Sequence, residues 1–229
     1  MIIAIHQPNY LPWCGYFHKM LSCDLFVILD DVTYSKTAIT NKNKIKSPDG
    51  PRLLTVPIGQ KKGLIKDVTI FDDSKWTQKH WGSIQRCYAR APFWKQYEQF
   101  FLPVYQNPDE KLVDFNLRLI EVVRILLEIK TPIIRSSEIE GTAGIKGDKI
   151  ISICKALQAT TYLSGTGAIS YNDENEFKRN QIRLEYQKFD HLEYPQLWGD
   201  FISHMSIIDL LFNCGPKSKE FLPKQVIYE

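Results

Sequence analysis

The chain has 229 residues, of which 44% are hydrophobic and 24% charged, with a formal net charge of +3 at pH 7. These values are ordinary for a globular protein with a sizeable core, and so small a charge does not support nucleic-acid or membrane-surface binding. The five cysteines are scattered and never spaced as CxxC, which favours reduced thiols. We find no signal peptide and no apolar run near the roughly 18 residues of a spanning helix, so we expect a cytoplasmic protein.

Residues 1–36 predict a β-α-β unit around which the chain is arranged. Short apolar runs at 2–5 and 25–29 predict buried strands, and a helical pattern lies between them. Ligands of open α/β sheets bind outside the carboxyl ends of the strands, so we expect the functional site there. Polar candidates follow both strands: His6, Gln7, Asn9 and Tyr10 after the first, and Asp30, Asp31 and Lys36 after the second.

These side chains suit different tasks. His6 directly follows a buried strand, where an imidazole acts as base, acid or phosphate donor; the alternative is a structural histidine that holds the loop. Asp30 and Asp31 are suited to orienting an amine or a ribose hydroxyl, unless one of them caps the next turn. Lys19 and Lys36 can each hold an anionic group, although lysines are common at surfaces.

The segment from 41 to 71 predicts two basic loops and two strands. The loops are at 41–46 and 59–63, and the strands at 53–58 and 68–71. Lysine-rich loops near the end of the second strand are able to hold a phosphate or carboxylate. Solvated hairpin tips are the simpler alternative.

Residues 72–130 predict a helical insertion within a single α/β domain spanning 1–229. Helices are expected from about 74 to 90 and from 92 onward, and 109–129 is the clearest amphipathic helix. Aromatic residues interleaved with Lys and Arg occur in proteins that bind single-stranded nucleic acid. Aromatics at helical spacing are more often core, so we predict no nucleic-acid binding.

The last hundred residues continue the strand and helix alternation. Strands are predicted at 133–135, 160–164 and 183–186, and helices at 148–157, 174–181 and 201–212. Ser164 and Gly165 place small residues at a strand's carboxyl end, where a backbone can approach a ligand closely. Asp209 and Asn213 are one helical turn apart, so they face one ligand or make end-of-helix hydrogen bonds. The histidines lack HxH or HxxxH spacing, so we predict no metal site.

Three long motifs, HQPNYLPWCGYFHK, DLFVILDDVTYSK and NKNKIKSPDGPRLLTVPI, resemble the WbqC-like protein family, as do TTYLSGTGAISY and SIIDLLFNCG. The resemblance covers nearly the whole chain and implies a role in bacterial O-antigen or other surface-polysaccharide biosynthesis. Relatives tend to have Asn-Arg-Asn-Arg at 41–44, where this chain has Asn-Lys-Asn-Lys. Lysine lacks the guanidinium group with which arginine binds a planar anion through two parallel hydrogen bonds. The family motifs mark His6, Gln7, Asn9, Tyr10, Asp30, Asp31, Lys36, Asn41, Ser164, Gly165, Tyr171, Gln196, Asp209 and Asn213 as candidate site residues.

Three hypotheses follow. The first is a transferase that acylates or aminoacylates a nucleotide-linked amino sugar, with His6 as base, Asp30 or Asp31 orienting the amine, and an acyl or aminoacyl carrier, such as a carrier protein, as donor. The second is a nucleotidylyltransferase-like fold that activates its substrate with ATP or CTP, although both histidines of the HxGH signature are missing. The third is a non-catalytic partner in a polysaccharide assembly complex.

Overall fold

A computed structural model describes residues 1–35, 39–59, 63–71, 75–170 and 172–227. Its strands and helices alternate along most of the chain. In chain order they are β1 (Ile2–His6), α1 (Cys14–Leu21), β2 (Leu25–Ile28), β3 (Lys42–Ser47), β4 (Gly50–Thr55), α2 (Lys75–Tyr88), α3 (Trp94–Gln106), α4 (Leu112–Leu126), β5 (Ile133–Arg135), α5 (Gly147–Ala156), β6 (Thr161–Ser164), α6 (Glu174–Arg179), β7 (Arg183–Tyr186) and α7 (Ile207–Cys214).

Five strands form a parallel sheet in the order β5-β2-β1-β6-β7. The predicted β-α-β unit is confirmed, because β1 and β2 pair in parallel and α1 crosses between them. His6 lies opposite Ile28, and Ala4 lies opposite Leu163. The carboxyl ends of β1, β2 and β6 therefore meet at one edge of the sheet.

Both faces of the sheet are covered, which explains the nearly continuous apolar runs of β1 and β2. Ala4 and Phe26 point into a large core shared with α1, the helices α2 to α4, and α7. Ile3 and Val27 point into a second core with α5 and α6. The predicted α/β class with flanking helices and an aromatic-rich helical region is confirmed.

The aromatic side chains of the helical region pack against one another and against the sheet. Trp76 contacts Phe115 edge to face, with ring centroids 5.2 Å apart, and Trp94 contacts Phe212 at 4.9 Å. Such pairs stabilise a core beyond the area that they bury. These aromatics therefore form core rather than an exposed stacking surface.

The loops and strands predicted between residues 41 and 71 differ from the structure in their positions. The basic loop predicted at 41–46 is mostly strand, because residues 42–47 form β3, which pairs antiparallel with β4. Pro48 and Asp49 make a two-residue turn, and Gly50 takes a positive φ of 95° that favours glycine. Because of this turn, the strand predicted at 53–58 lies at 50–55 instead, as β4. Residues 68–71 make only isolated bridges, and residues 60–62 of the second basic loop lie outside the described part of the chain.

The predicted helix at 201–212 begins later, at Ile207. Ser206 caps it by accepting a bond from Ile208 N. The Ser206 N–H bonds Lys44 O, and the Ile207 N–H bonds Pro12 O. These long-range bonds hold the segment before α7 outside a helix. None of the helices in the described ranges combines the length and apolar character needed to cross a bilayer.

Candidate functional site

A crevice of about 350 Å³ opens at the carboxyl ends of β1, β2 and β6. Its walls include His6 at the end of β1, Gln7 just after it, Leu29 after β2, and Gly165 after β6. This is where a parallel α/β sheet offers a ligand site. Larger grooves, such as one of about 620 Å³ along α6 and β7, are lined mainly by exposed side chains. The crevice is lined by two buried polar side chains, Lys19 and Asn9, whose side-chain nitrogen atoms have no partner among the described residues.

His6 is the last residue of β1 and is neutral in this setting. Its Nδ1–H donates to the Gln7 carbonyl at 3.1 Å, which leaves the Nε2 lone pair unused by this bond. Burial, and then the nearby Lys19 charge, lowers the pKa of His6 to about 3, while the bond to Gln7 acts in the opposite direction. The ring also packs edge-on against Tyr16, with centroids 4.7 Å apart. His6 is therefore a fixed and neutral imidazole, and its low pKa makes it a weak base in this setting.

Lys19 lies in α1, and its side chain reaches the same crevice. Only 3% of the residue is exposed, because α1 is packed into the core along nearly its whole length. Burial lowers the pKa of Lys19 to about 8. Within the described ranges, no hydrogen bond or ion pair joins its Nζ to another residue. This is an uncommon state for a lysine.

The loop after β1 is fixed by a buried asparagine of α4. Asn116 Nδ2 donates to Pro8 O and to Thr40 O, each at 2.8 Å. The Tyr10 N–H also bonds Thr40 O, and Gln7 Oε1 accepts from the Thr40 hydroxyl. Asn9 is held in this loop with 2% exposure, and its Nδ2 has no partner among the described residues. The loop thus presents an unused amide donor close to the crevice.

The end of β6 forms the opposite wall. Ser164 is buried, accepts a bond from Asn172 Nδ2 at 3.0 Å and donates to the Gly165 carbonyl. Gly165 has an ordinary φ of −76°, so no strained turn requires a glycine there. A Cβ at this position would lie 3.0 Å from Lys19 Nζ. The missing side chain therefore gives the ammonium group its space.

Asp30 and Asp31, predicted to be catalytic, have other contacts. Asp30 is fully buried and accepts from Arg135 Nε at 2.7 Å, Ser137 N at 3.0 Å and Ser137 Oγ at 2.9 Å. Asp31 accepts from Lys149 Nζ and from Ser136, and these bonds outweigh burial and lower its pKa. Neither residue lines the crevice. These bonds tie β2 to β5 and α5, and a role of Asp30 or Asp31 in orienting an amine stays a prediction.

Tyr10 and Asn41 are also turned away from the crevice. The Tyr10 hydroxyl donates to His80 Nδ1 at 2.9 Å and accepts from Tyr105 at 2.6 Å, because the other His80 nitrogen bonds the Thr55 carbonyl. Asn41 accepts from the Tyr34 hydroxyl and donates to a backbone carbonyl of the hairpin. Tyr10 therefore joins the loop after β1 to helices α2 and α3. Asn41 instead joins Tyr34 to the segment that follows β4.

A second buried cluster contains the remaining described candidates. Asp209 accepts from Tyr88 Oη and Tyr194 Oη at 2.9 Å each, and from Gln196 Nε2 at 2.7 Å. Burial nevertheless raises the pKa of Asp209. Asn213 Nδ2 bonds the Asp209 carbonyl, which is the end-of-helix alternative. None of these groups lines the crevice, and Lys36 and Tyr171 lie outside the described residues.

The sequence profile of the WbqC-like protein family matches residues 7–221. The chain belongs to this family. A relative from Mycobacterium tuberculosis (strain ATCC 25618 / H37Rv), named Uncharacterized protein Rv1507c, is 34% identical over 224 residues, which is 96% of each chain. No solved structure matches the chain.

The motifs of this WbqC-like chain divide between the crevice and the core. His6, Gln7, Asn9 and Gly165 surround the crevice, whereas most of the others hold elements together. Lys19 is predicted from the sequence to hold an anionic group, but it is not among the site residues that the family motifs mark. The signal for its place in the site is its position inside an apolar helix. Asn116 is not predicted from the sequence. The signal that could have found it is the same, a polar side chain within the apolar pattern of a helix, here α4. In the described ranges, no three His, Cys, Asp or Glu side chains are grouped to hold a metal ion.

Proposed function

We propose that this WbqC-like protein is an enzyme of bacterial O-antigen or other surface-polysaccharide biosynthesis, and that it acylates or aminoacylates a nucleotide-linked amino sugar. Family membership supports the pathway. The observation that carries the reaction type is the neutral His6 at the end of β1, beside a small crevice with glycine on its opposite wall. A neutral imidazole can accept a proton as a general base, and a pKa of about 3 makes it a weak base until the nearby positive charge is offset.

In the proposed reaction, the sugar amine attacks the carbonyl carbon of the acyl donor. A nitrogen–carbon bond forms, and His6 Nε2 takes the proton that the nitrogen loses. The bond between the carbonyl carbon and the carrier then breaks, and His6 returns the proton to the leaving group. Gly165 and Gly167 line the same crevice, and their backbone N–H groups would stabilise the oxyanion.

The size of the crevice limits what it encloses. A volume of about 350 Å³ is at the low end for ligand pockets, which span roughly 300 to 1,000 Å³. It suits the reacting groups of the sugar and the donor. The nucleotide would then lie outside the crevice.

The test is a product screen by mass spectrometry. Amino-sugar nucleotides are paired with acyl thioesters, acyl phosphates and aminoacyl donors, and an amide product is sought. We expect His6→Gln to lower turnover by about 10²- to 10⁴-fold, since this is the usual contribution of a general base. His204→Gln is the control, because His204 is an exposed histidine away from the crevice. Full activity of His6→Gln, or no amide from any pair, would reject the proposal.

The same screen separates the alternatives. A nucleotidylyltransferase would release pyrophosphate from ATP or CTP without an acyl donor. An assembly partner would neither turn over nor bind any nucleotide sugar.

A further inference from the structure

The charges around the crevice do not balance. Its described lining includes Lys19 but no carboxylate. The nearest candidates by sequence, Asp30 and Asp31, are already paired with Arg135 and Lys149. The buried ammonium group of Lys19 therefore has no counter-ion within the described ranges.

An unpaired buried ammonium group is unfavourable, because desolvation is not repaid by an opposite charge. Buried charges in proteins are generally paired or hydrogen-bonded. Among the described residues Lys19 has neither kind of partner, yet its side chain lines a cavity that a ligand can enter. A negatively charged ligand in the crevice would supply both an opposite charge and a hydrogen-bond acceptor.

A second observation points to the same ligand chemistry. Asn9 lines the crevice, and its buried Nδ2 has hydrogens to donate but no described acceptor. An amide donor and an ammonium donor that share one cavity both require an acceptor. Gly165 leaves space for that acceptor, since a Cβ would lie 3.0 Å from Lys19 Nζ.

We propose that Lys19 and Asn9 form a subsite that binds one carboxylate or phosphate group of the substrate beside His6. The inference rests on the proposed function only for the identity of the whole substrate. It narrows the substrate class to molecules that carry an anionic group near the reacting amine or acyl carbon.

The subsite also couples binding to the base. The Lys19 charge is one of the two causes that lower the pKa of His6. A bound anion would offset that charge, and so the pKa of His6 would rise when the subsite is filled. The imidazole would become a stronger base only in the presence of substrate.

The test measures anion binding to the full chain without any acyl donor. Inorganic phosphate and acetate are titrated by calorimetry in a low-salt buffer at pH 7, and imidazole NMR signals are followed in parallel. We expect one site on the wild type, at least tenfold weaker binding in Lys19→Met, and a His6 pKa that rises with anion. The preferred anion identifies the group.

Lys95→Met is the matched control, because Lys95 is an exposed lysine of α3. Gly165→Ala is a second variant that keeps the lysine but narrows the subsite, because the added Cβ would lie 3.0 Å from Lys19 Nζ. Equal binding by wild type, Lys19→Met and Gly165→Ala would overturn the inference, as would no binding of either anion to wild type. Anion binding without amide formation from any pair would reject the proposed reaction alone, whereas amide formation with an unchanged KM in Lys19→Met would reject the subsite alone.

Discussion

Replacing Lys19 with methionine should make the protein more stable. Burial lowers the pKa of Lys19 from 10.5 to about 8. One pKa unit corresponds to about 1.36 kcal/mol, so the charged side chain costs the folded state about 3 kcal/mol at pH 7. Methionine has a similar length and no charge, and the substitution breaks no described hydrogen bond. We expect the melting temperature to rise by roughly 6 to 12 °C.

The gain should depend on pH in a defined direction. Below pH 8, Lys19 is protonated in both the folded and the unfolded chain, so the full penalty is present. Between about pH 8 and 10.5, the folded chain loses this proton while the unfolded chain keeps it, and the wild type gains stability relative to the variant. The difference in unfolding free energy should therefore be largest at pH 7 and small near pH 10.5.

Denaturant unfolding of the two proteins between pH 7 and 10.5 measures this difference. Adding phosphate or acetate at pH 7 should also reduce it, because an anion that binds the folded wild type stabilises it by mass action. Lys95→Met should behave as wild type. A Lys19→Met variant that is less stable at every pH would refute the argument that the ammonium group is buried without a partner.

Three further predictions concern stability and the crevice. Asp30→Asn should cost about 2 to 4 kcal/mol of unfolding free energy by denaturant titration, because it weakens a buried ion pair; a change as small as that of the exposed Glu193→Gln would contradict this. Gly165→Ala should weaken phosphate binding at least tenfold by calorimetry while changing stability by under about 0.5 kcal/mol, whereas Gly147→Ala, whose Cβ meets nothing within 4 Å, should leave binding intact. Acid should destabilise the fold between about pH 6.5 and 4, since burial lowers the pKa of His80 to about 4 and that of the crevice histidine to about 3, and the unfolded chain protonates first. By pH 4, each histidine should lower the unfolding free energy by up to about 3 kcal/mol. An unfolding free energy that stays constant across this pH range would refute the lowered pKa values of the two histidines.

The sequence predicted the sheet well because strand burial leaves a local pattern. The apolar runs at 2–5 and 25–29, separated by one helix, allow few arrangements other than a parallel pair. Their carboxyl ends then locate the crevice without any side-chain contact. The hairpin was misjudged because β3, with the sequence KNKIKS, reads as polar. Its pairing depends on the turn and on Lys46, whose amine bonds carbonyls of residues 199 and 200 far along the chain.

The partners of polar residues were harder to predict, for a physical reason. A carboxylate after a strand looks the same in sequence whether it faces a ligand or an arginine. Asp30 meets Arg135, 105 positions later, and that distant contact decides its role. Lys19 is the opposite case. Lysine is common in sequences, and its low exposure here is apparent only once α1 is seen to be buried.

The two bonds of Asn116 have a consequence for how a ligand would bind. One amide group from α4 fastens carbonyls of two separate loops, at Pro8 and Thr40, before any ligand arrives. The entropy of ordering these loops is therefore lost during folding rather than during association. The helical region at 75–126 is thus part of the scaffold that shapes the crevice. An Asn116→Ala variant should therefore bind anions more weakly, even with every lining side chain in place.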